Sequence, residues 1–234
     1  MYYGYGMDYA YLGIIILSIV LGGITQSYIN SQYKKWSRVP ASMGKTGAQV
    51  ARALLDKNKL YDVPVEIVPG HLTDHYDPKT KKLRLSPEVY HGTSLAALGV
   101  AAHETGHAAQ HAQEYIPLNL RTAIFPAARY GSSLAFPLFF IGLLFGRGGT
   151  FLMDLGIILF TFAVLFQVVT LPVEFNASKR ALGMLESEGY LLRGQEVAGA
   201  RKVLSAAALT YLAATAMALL QLFRLLLLRG YRDD

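Results

Sequence analysis

His103-Glu104-Thr105-Gly106-His107 reads H-E-x-x-H, inside an alanine-rich run over residues 94–113 that contains no proline. On an α-helix, positions i and i+4 are about 40° apart in azimuth and about 6 Å apart along the axis. Two imidazoles so placed can reach one ion, given a zinc–nitrogen bond of about 2.0–2.1 Å. Glu104 follows the first histidine by one residue and precedes the second by three, so its carboxylate flanks the ion instead of pointing at it. A carboxylate in that place can take a proton from a water that the ion has acidified. The motif therefore makes His103 and His107 candidate zinc ligands and Glu104 the candidate general base of a metal-assisted hydrolysis. The competing account is an alanine-rich packing helix whose histidines are satisfied by hydrogen bonds. Against it, two histidines and a glutamate among alanines have no evident charge partner unless a metal supplies one.

The composition sets the surroundings of this helix. The 234 residues are 53% hydrophobic and only 16% charged, against about 25% charged in soluble domains. With a positive mean hydropathy, that balance reads as a membrane protein. The chain has no cysteine, which excludes disulfides and thiolate metal sites and leaves histidine, carboxylate and water to hold any zinc. The formal charge of +6 reads as an orientation signal and an attraction to anionic lipid. No basic run with interleaved aromatics points to nucleic acid.

The chain divides into five stretches. Residues 1–28 hold a first apolar run, 9–28, uncharged and about 30 Å long as a helix, enough to span the hydrocarbon layer. Tyr9 and Tyr11 stand at one end, with Tyr28, Tyr33 and Trp36 at or beyond the other, as an aromatic belt would. A retained anchor is preferred to a cleaved signal peptide, because no positive n-region and no small-x-small cleavage site is present. Residues 29–125 are polar. A helix is predicted over 46–55, a strand over 64–68, and a hairpin from 72–77, the turn 77–80 and 83–86. Thr93 or Ser94 is positioned to N-cap the histidine helix, which should end before Pro117. Residues 126–171 contain the apolar runs 130–146 and 151–171, joined by so short a gap that they form a transmembrane hairpin. Residues 172–204 are polar with a helical pattern opened by Pro172, and residues 205–234 carry the last apolar run, 206–228. Asp154 and Arg224 lie near span ends and are read as snorkelling to the interface. The expected fold is mainly α: a polytopic membrane protein of about four transmembrane helices, with a small α+β region on one face.

Catalytic zinc usually takes three protein ligands. Two spans separate the histidine helix from residues 172–204, so that segment returns to the same side of the membrane. Glu174 is favoured there as third ligand, directly after a span and held beside the histidine helix by the membrane hairpin. Glu186, Glu188 and Glu196 sit farther along. His111 continues the i, i+4 spacing, but its distance from His103 along a straight helix is about 12 Å, so it is assigned to support of the site or to the lipid interface. Of the remaining histidines, His71, His75 and His91, His75 in the hairpin is the one placed to approach a substrate. Arg180 is a candidate oxyanion stabiliser, with a helix-surface charge as the plainer account.

Three blocks in order carry a resemblance: Tyr76-Asp77-Pro78 with residues 83–86; Ala101-Ala102-His103-Glu104-Thr105-Gly106-His107-Ala108-Ala109-Gln110; and Pro172-Val173-Glu174-Phe175-Asn176-Ala177-Ser178. Together they resemble the bacterial membrane-bound neutral zinc metallopeptidase family over nearly the whole chain. The chain is more distantly similar to membrane gluzincins such as the prenyl-protein (CAAX) endoprotease and the heat-shock membrane proteases. Those place a glutamate ligand in an E-x-x-x-D block after a pair of spans. Glu174 matches that glutamate, whereas Ser178 stands where the aspartate would. The aspartate is expected to orient a ligand, and Asn176 and Ser178 are both candidates to replace it.

The resemblance implies one Zn²⁺ per chain, peptide-bond hydrolysis and a membrane location. Protein or peptide substrates and the bilayer are the expected partners, and a regulatory membrane protein is a further candidate. A catalytically silent zinc-binding scaffold or regulator is the alternative; the missing aspartate favours it and the retained Glu104 opposes it. Lys34, Lys35, Arg38, Lys45, Arg121, Arg129, Lys179, Arg180, Arg193, Arg201 and Lys202 fall on one face, against Arg147, Arg229 and Arg232 with Arg224 on the other. Positive charge stays inside, so the expected arrangement in the cell membrane is multi-pass, with the N-terminus outside and the zinc site at the cytoplasmic face.

Overall fold

A computed structural model describes residues 3–230, with side chains from Leu12 onward except that of Arg147. The side chains of Tyr9, Tyr11, Arg147 and Arg232, used above for the belt and the orientation, lie outside the described set. The chain runs α1 (Tyr3–Trp36), α2 (Gly47–Lys57), β1 (Val65–Ile67), β2 (His75–Asp77), β3 (Lys82–Leu85), α3 (Pro87–His91), α4 (Leu95–Ala112), α5 (Ile116–Leu144), a 3₁₀ turn (Gly146–Gly149), α6 (Thr150–Ser187) and α7 (Gln195–Gly230). The protein is mainly helical. Four helices are long and apolar enough to cross a membrane: Leu12–Trp36, Ile116–Leu144, Thr150–Ser187 and Gln195–Gly230.

Two compact units are built from interleaved stretches of chain. One takes in the chain up to Thr25, Asn119–Leu171 and the chain from Thr210 onward. Its core is Ala135, Phe139, Met153, Ile157, Phe160, Val164 and Leu225. α5 and α6 approach closely because Gly156 has no side chain: a Cβ there would lie 2.7 Å from the Ala135 carbonyl oxygen. Asp154 does not simply snorkel. Its Oδ1 accepts from Arg229 Nε at 2.6 Å, so α6 and α7 neutralise each other's charge. Arg224 is buried and donates to Gln221 Oε1.

The other unit comprises Gln26–Leu118 and Pro172–Leu209. α4 is its central element and is covered on two sides. One cluster packs Trp36, Val50, Leu54, Leu95, Leu98, Ala102, Ala181, Leu185, Ala200 and Leu204. The second packs Ala51, Leu55, Leu83, Leu85, Val89, Ala101 and Ala108. Each fully buried leucine contributes about 1.5–3 kcal/mol relative to exposure. The small residues of α4 let its neighbours come close, which explains why an alanine-rich helix can be buried nearly all round.

The sheet order is β1-β3-β2, with β1 parallel and β2 antiparallel to β3. Leu83 and Leu85 are buried, while Lys82 and Arg84 alternate with them and are only half-buried, the period of a half-buried strand. β2 is shorter than the predicted 72–77 arm. Leu72 takes a left-handed φ of 55°, and the Asp74 carboxylate accepts the Ser86 amide (2.7 Å) and hydroxyl, so the chain is turning until His75. α6 also departs from expectation, since no new helix opens at Pro172 and the helix runs through it. An interior proline costs about 3 kcal/mol. Here the turns beyond it are held by Val173, Ala177, Ala181 and Leu185, a fully buried i, i+4 stripe.

Candidate metal centre

α4 begins at Ser94, whose Oγ accepts the Ala97 amide at 3.2 Å. The cap satisfies one of the orphan N–H groups at the helix start and fixes its register. Nine residues on, His103 and His107 face α6. Their Nε2 atoms are 3.1 Å apart. Glu174 Oε2 lies 3.2 Å from His103 Nε2 and 3.5 Å from His107 Nε2. Two donors about 2.0–2.1 Å from a tetrahedral zinc lie about 3.3 Å from each other. The three donor atoms are therefore already at the edge lengths of a zinc tetrahedron. Glu174 is 3% exposed and the two histidine side chains are 13% exposed, so the cluster is largely shielded from solvent.

Each ring is turned so that Nε2 faces the cluster. His107 Nδ1 is 3.0 Å from Gln110 Oε1. Gln110 Nε2 is committed elsewhere, donating to the Val173 carbonyl (2.8 Å) and to Asn176 Oδ1 (3.0 Å). Gln110 can thus offer His107 only its oxygen, which requires Nδ1 to carry the proton and leaves Nε2 with its lone pair free. His103 Nδ1 is held by Ser178 Oγ at 3.2 Å. Ser178 stands one turn beyond Glu174 on α6, so the serine at the position of the relatives' aspartate does reach a histidine. Asn176 takes a different place, receiving Gln110 and the Arg180 Nε (2.7 Å).

Charge at the centre is negative. Burial alone would push the His107 imidazole down, but the hydrogen bond and charge of Glu174, with the charge of Glu104, outweigh it and raise it. Burial pushes the Asp74 carboxyl up, its Ser86 hydrogen bonds pull it down, and the nearby Glu104 charge adds to the rise. Carboxylates thus crowd a site whose only other donors are two imidazoles. Positive charge is what the donor set lacks, and a divalent cation fits it.

Glu104 is 8% exposed. Its Oε2 is not among the three clustered donors; it accepts the backbone N–H of Tyr76 on β2 at 3.0 Å. The hydroxyl of the same tyrosine meets His111 Nδ1 at 2.9 Å. Glu104 and His111 are seven residues apart and so share a face of α4, and Tyr76 bridges them. His111 therefore sits in a bridge to β2 and not among the three donors. His75 is tied instead to Thr73 O (2.8 Å) and, at 3.4 Å, to Arg84. Arg180 braces α6 to the end of α4 through Asn176 and Gln113 Oε1 (2.6 Å) and lies over the Tyr115 ring. Among the described residues, His103, His107 and Glu174 form the one candidate three-residue metal group.

Sequence reasoning missed Gln110 and Tyr76. Gln110 had a signal: it is a polar residue at i+3 from His107 in an alanine run, and it is fully buried. Tyr76 stands in a block that carries the family resemblance, but nothing local marks its role, because its contacts to Glu104 and His111 cross 28 and 35 residues.

The chain is thus mainly helical, with four helices of membrane-spanning length and a two-histidine, one-carboxylate cluster that could hold a metal ion. The chain is a member of the family described as "Putative neutral zinc metallopeptidase", which matches residues 11–230. It is 51% identical over 217 residues to "Putative membrane protease YugP" of Bacillus subtilis (strain 168), covering 92% of this chain and 95% of that protein. No solved structure matches it.

Proposed function

We propose that the protein is a membrane-embedded zinc peptidase that hydrolyses peptide bonds of membrane or membrane-proximal proteins. The observation that carries this is the donor spacing of 3.1, 3.2 and 3.5 Å among His103, His107 and Glu174, with Glu104 one residue along the same helix. The family membership and the membrane-protease relative support it. His103 and His107 would hold one Zn²⁺ through Nε2, and Glu174 through a carboxylate oxygen. When bound, the ion supplies the Lewis acidity that polarises a carbonyl and acidifies water.

The chain's own residues do the rest. Ser178 and Gln110 hold the two Nδ1 atoms and so aim the rings. The Tyr76 amide holds Glu104 Oε2, leaving the other oxygen to take a proton from the attacking water. As the C–N bond breaks, that proton passes from Glu104 to the departing amine nitrogen, and the water oxygen stays on the new carboxylate. β2 is the outer strand of its sheet, and an extended substrate can pair along the part of its outer edge that the Tyr76–Glu104 bond leaves open. The asymmetry of lysine and arginine supports a zinc site on the cytoplasmic side of the cell membrane; a tag at Lys79 accessible only from outside the cell would overturn that orientation.

Glu104→Gln tests the chemistry. Zinc at one per chain in both proteins, with cleavage of an unfolded or membrane protein lost in the variant, is the expected result. Zinc retained with no Glu104-sensitive cleavage in the parent would favour the silent scaffold. Absence of zinc in both would remove either account.

A further inference from the structure

A cavity lies apart from the three donors, lined by none of them. It measures about 730 Å³ and is walled by the end of α1 (Asn30, Tyr33, Lys34), by Ser37 and Arg38 in the turn that follows, by His71 and Glu88, and by Gly92–Ser94 at the start of α4. That volume is in the range of small-molecule sites, about 300–1,000 Å³.

Its charges are arranged asymmetrically. Glu88 is the one carboxylate in the wall, and it is engaged: its Oε2 lies 2.8 Å from His71 Nδ1. Tyr33 packs edge-on against the same imidazole, with ring centres 5.5 Å apart. Lys34 is exposed in the last turn of α1, and Arg38 is exposed in the turn that follows it. Among the described residues neither has a carboxylate partner. Both line the same polar cavity, and two like charges facing one space favour an anion between them. Hydroxyls of Ser37, Thr93 and Ser94 line the same space and add the neutral donors that a phosphate accepts alongside charged ones. Lys35, between the two, behaves differently. It is not in the wall, and its Nζ lies over the Trp36 ring at 5.1 Å.

We propose that this cavity binds a phosphate-centred anion between Lys34 and Arg38. Two sources offer that chemistry: the headgroup of an anionic phospholipid, and free inorganic phosphate. α1 favours the lipid, since its apolar run ends just before the cavity and basic residues immediately beyond such a run attract anionic headgroups.

The full-length protein, stripped of phospholipid in a neutral detergent, is titrated with dioctanoyl phosphatidylglycerol, dioctanoyl phosphatidylcholine and inorganic phosphate, and binding is followed by calorimetry or native mass spectrometry. Saturable phosphatidylglycerol binding is expected. The double change Lys34→Gln with Arg38→Gln should weaken it about tenfold or more by removing both charge-assisted contacts, whereas Lys35→Gln, with the same loss of charge per residue, should alter it less than about twofold. Preference for phosphatidylglycerol over phosphate assigns the site to lipid. Phosphate binding as tightly, with the same sensitivity to the double change, assigns it to the free anion. No saturable anion binding, equal binding of phosphatidylcholine, or an equal loss in Lys35→Gln overturns the proposal. All three residues are exposed, two at the end of α1 and one in the turn after it, so the variants should keep the parent's circular dichroism and melting temperature. The readout is binding, and it stands or falls independently of hydrolysis.

Discussion

Ser178 Oγ lies 3.2 Å from His103 Nδ1, two residues from an asparagine that the sequence offered equally for the task. α6 decides between them: Ser178 is one turn beyond Glu174 and faces the same histidine, while Asn176 lies on the side of Gln110 and Arg180. A hydroxyl can accept the Nδ1 proton, but it brings no charge to strengthen the ligand as a carboxylate would.

Ser178→Ala should therefore lower zinc affinity about tenfold, at the weak end of the effect of losing such a partner. Ser178→Asp should restore or exceed the parent's affinity. Competition with a chelator of known affinity measures both, and an unchanged affinity in Ser178→Ala would show that the hydroxyl does not orient the ring.

Gln110 is engaged at both ends. Gln110→Met keeps the volume but strands the His107 Nδ1–H and removes the contacts to the Val173 carbonyl and Asn176. A buried polar group left unsatisfied costs about 1–3 kcal/mol, so melting should move down without zinc. Zinc affinity should also fall about 10–100-fold, so that added zinc stabilises the variant less than the parent.

Gly106 separates two opposed effects. In an isolated helix Gly→Ala gains about 1 kcal/mol. In the fold, a Cβ at 106 would lie 2.8 Å from the Ala177 carbonyl oxygen, a backbone atom that cannot rotate away. Overpacking of this kind costs about 1–3 kcal/mol, and it pries α4 from α6 where the donors meet. Gly106→Ala should lose both stability and zinc. A variant more stable than the parent would refute the close approach.

Asp77 holds the β2–β3 turn. Its carboxylate accepts the Thr80 hydroxyl (2.7 Å), the Lys79 amide (2.9 Å) and the Thr80 amide. The Thr80 hydroxyl bond leads the causes that bring it from the ordinary 3.8 down to about 2, against a smaller burial effect. A depressed acid stabilises the fold fully above 3.8 and loses that contribution as pH falls through about 2. Allowing for its partial exposure, Asp77→Asn should cost about 1 kcal/mol at pH 7. The difference from the parent should shrink below pH 4 in denaturant melts.

Much of this architecture is legible from residue order alone. The i, i+4 histidines, the proline-free alanine run and the apolar runs are local patterns, and a helix converts them directly into faces and lengths. Even Glu174 could be favoured without coordinates, because counting two spans returns the chain to the histidine side. The continuity of α6 through Pro172 was hidden, since proline's local penalty is visible in sequence and the packing that overrides it is not.

The chain by itself thus determined that two imidazoles could share an ion, and that a carboxylate after a pair of spans was available to join them. Tertiary structure alone decided how each ring is held. Ser178 and the Tyr76 amide reach the motif only because α6 and β2 pack against α4, and α6 also fixes which end of Gln110 faces His107. The Ser178 and Tyr76 contacts join residues 75 and 28 positions apart, and a hydrogen bond's direction depends on where whole elements meet, which no spacing along one helix encodes.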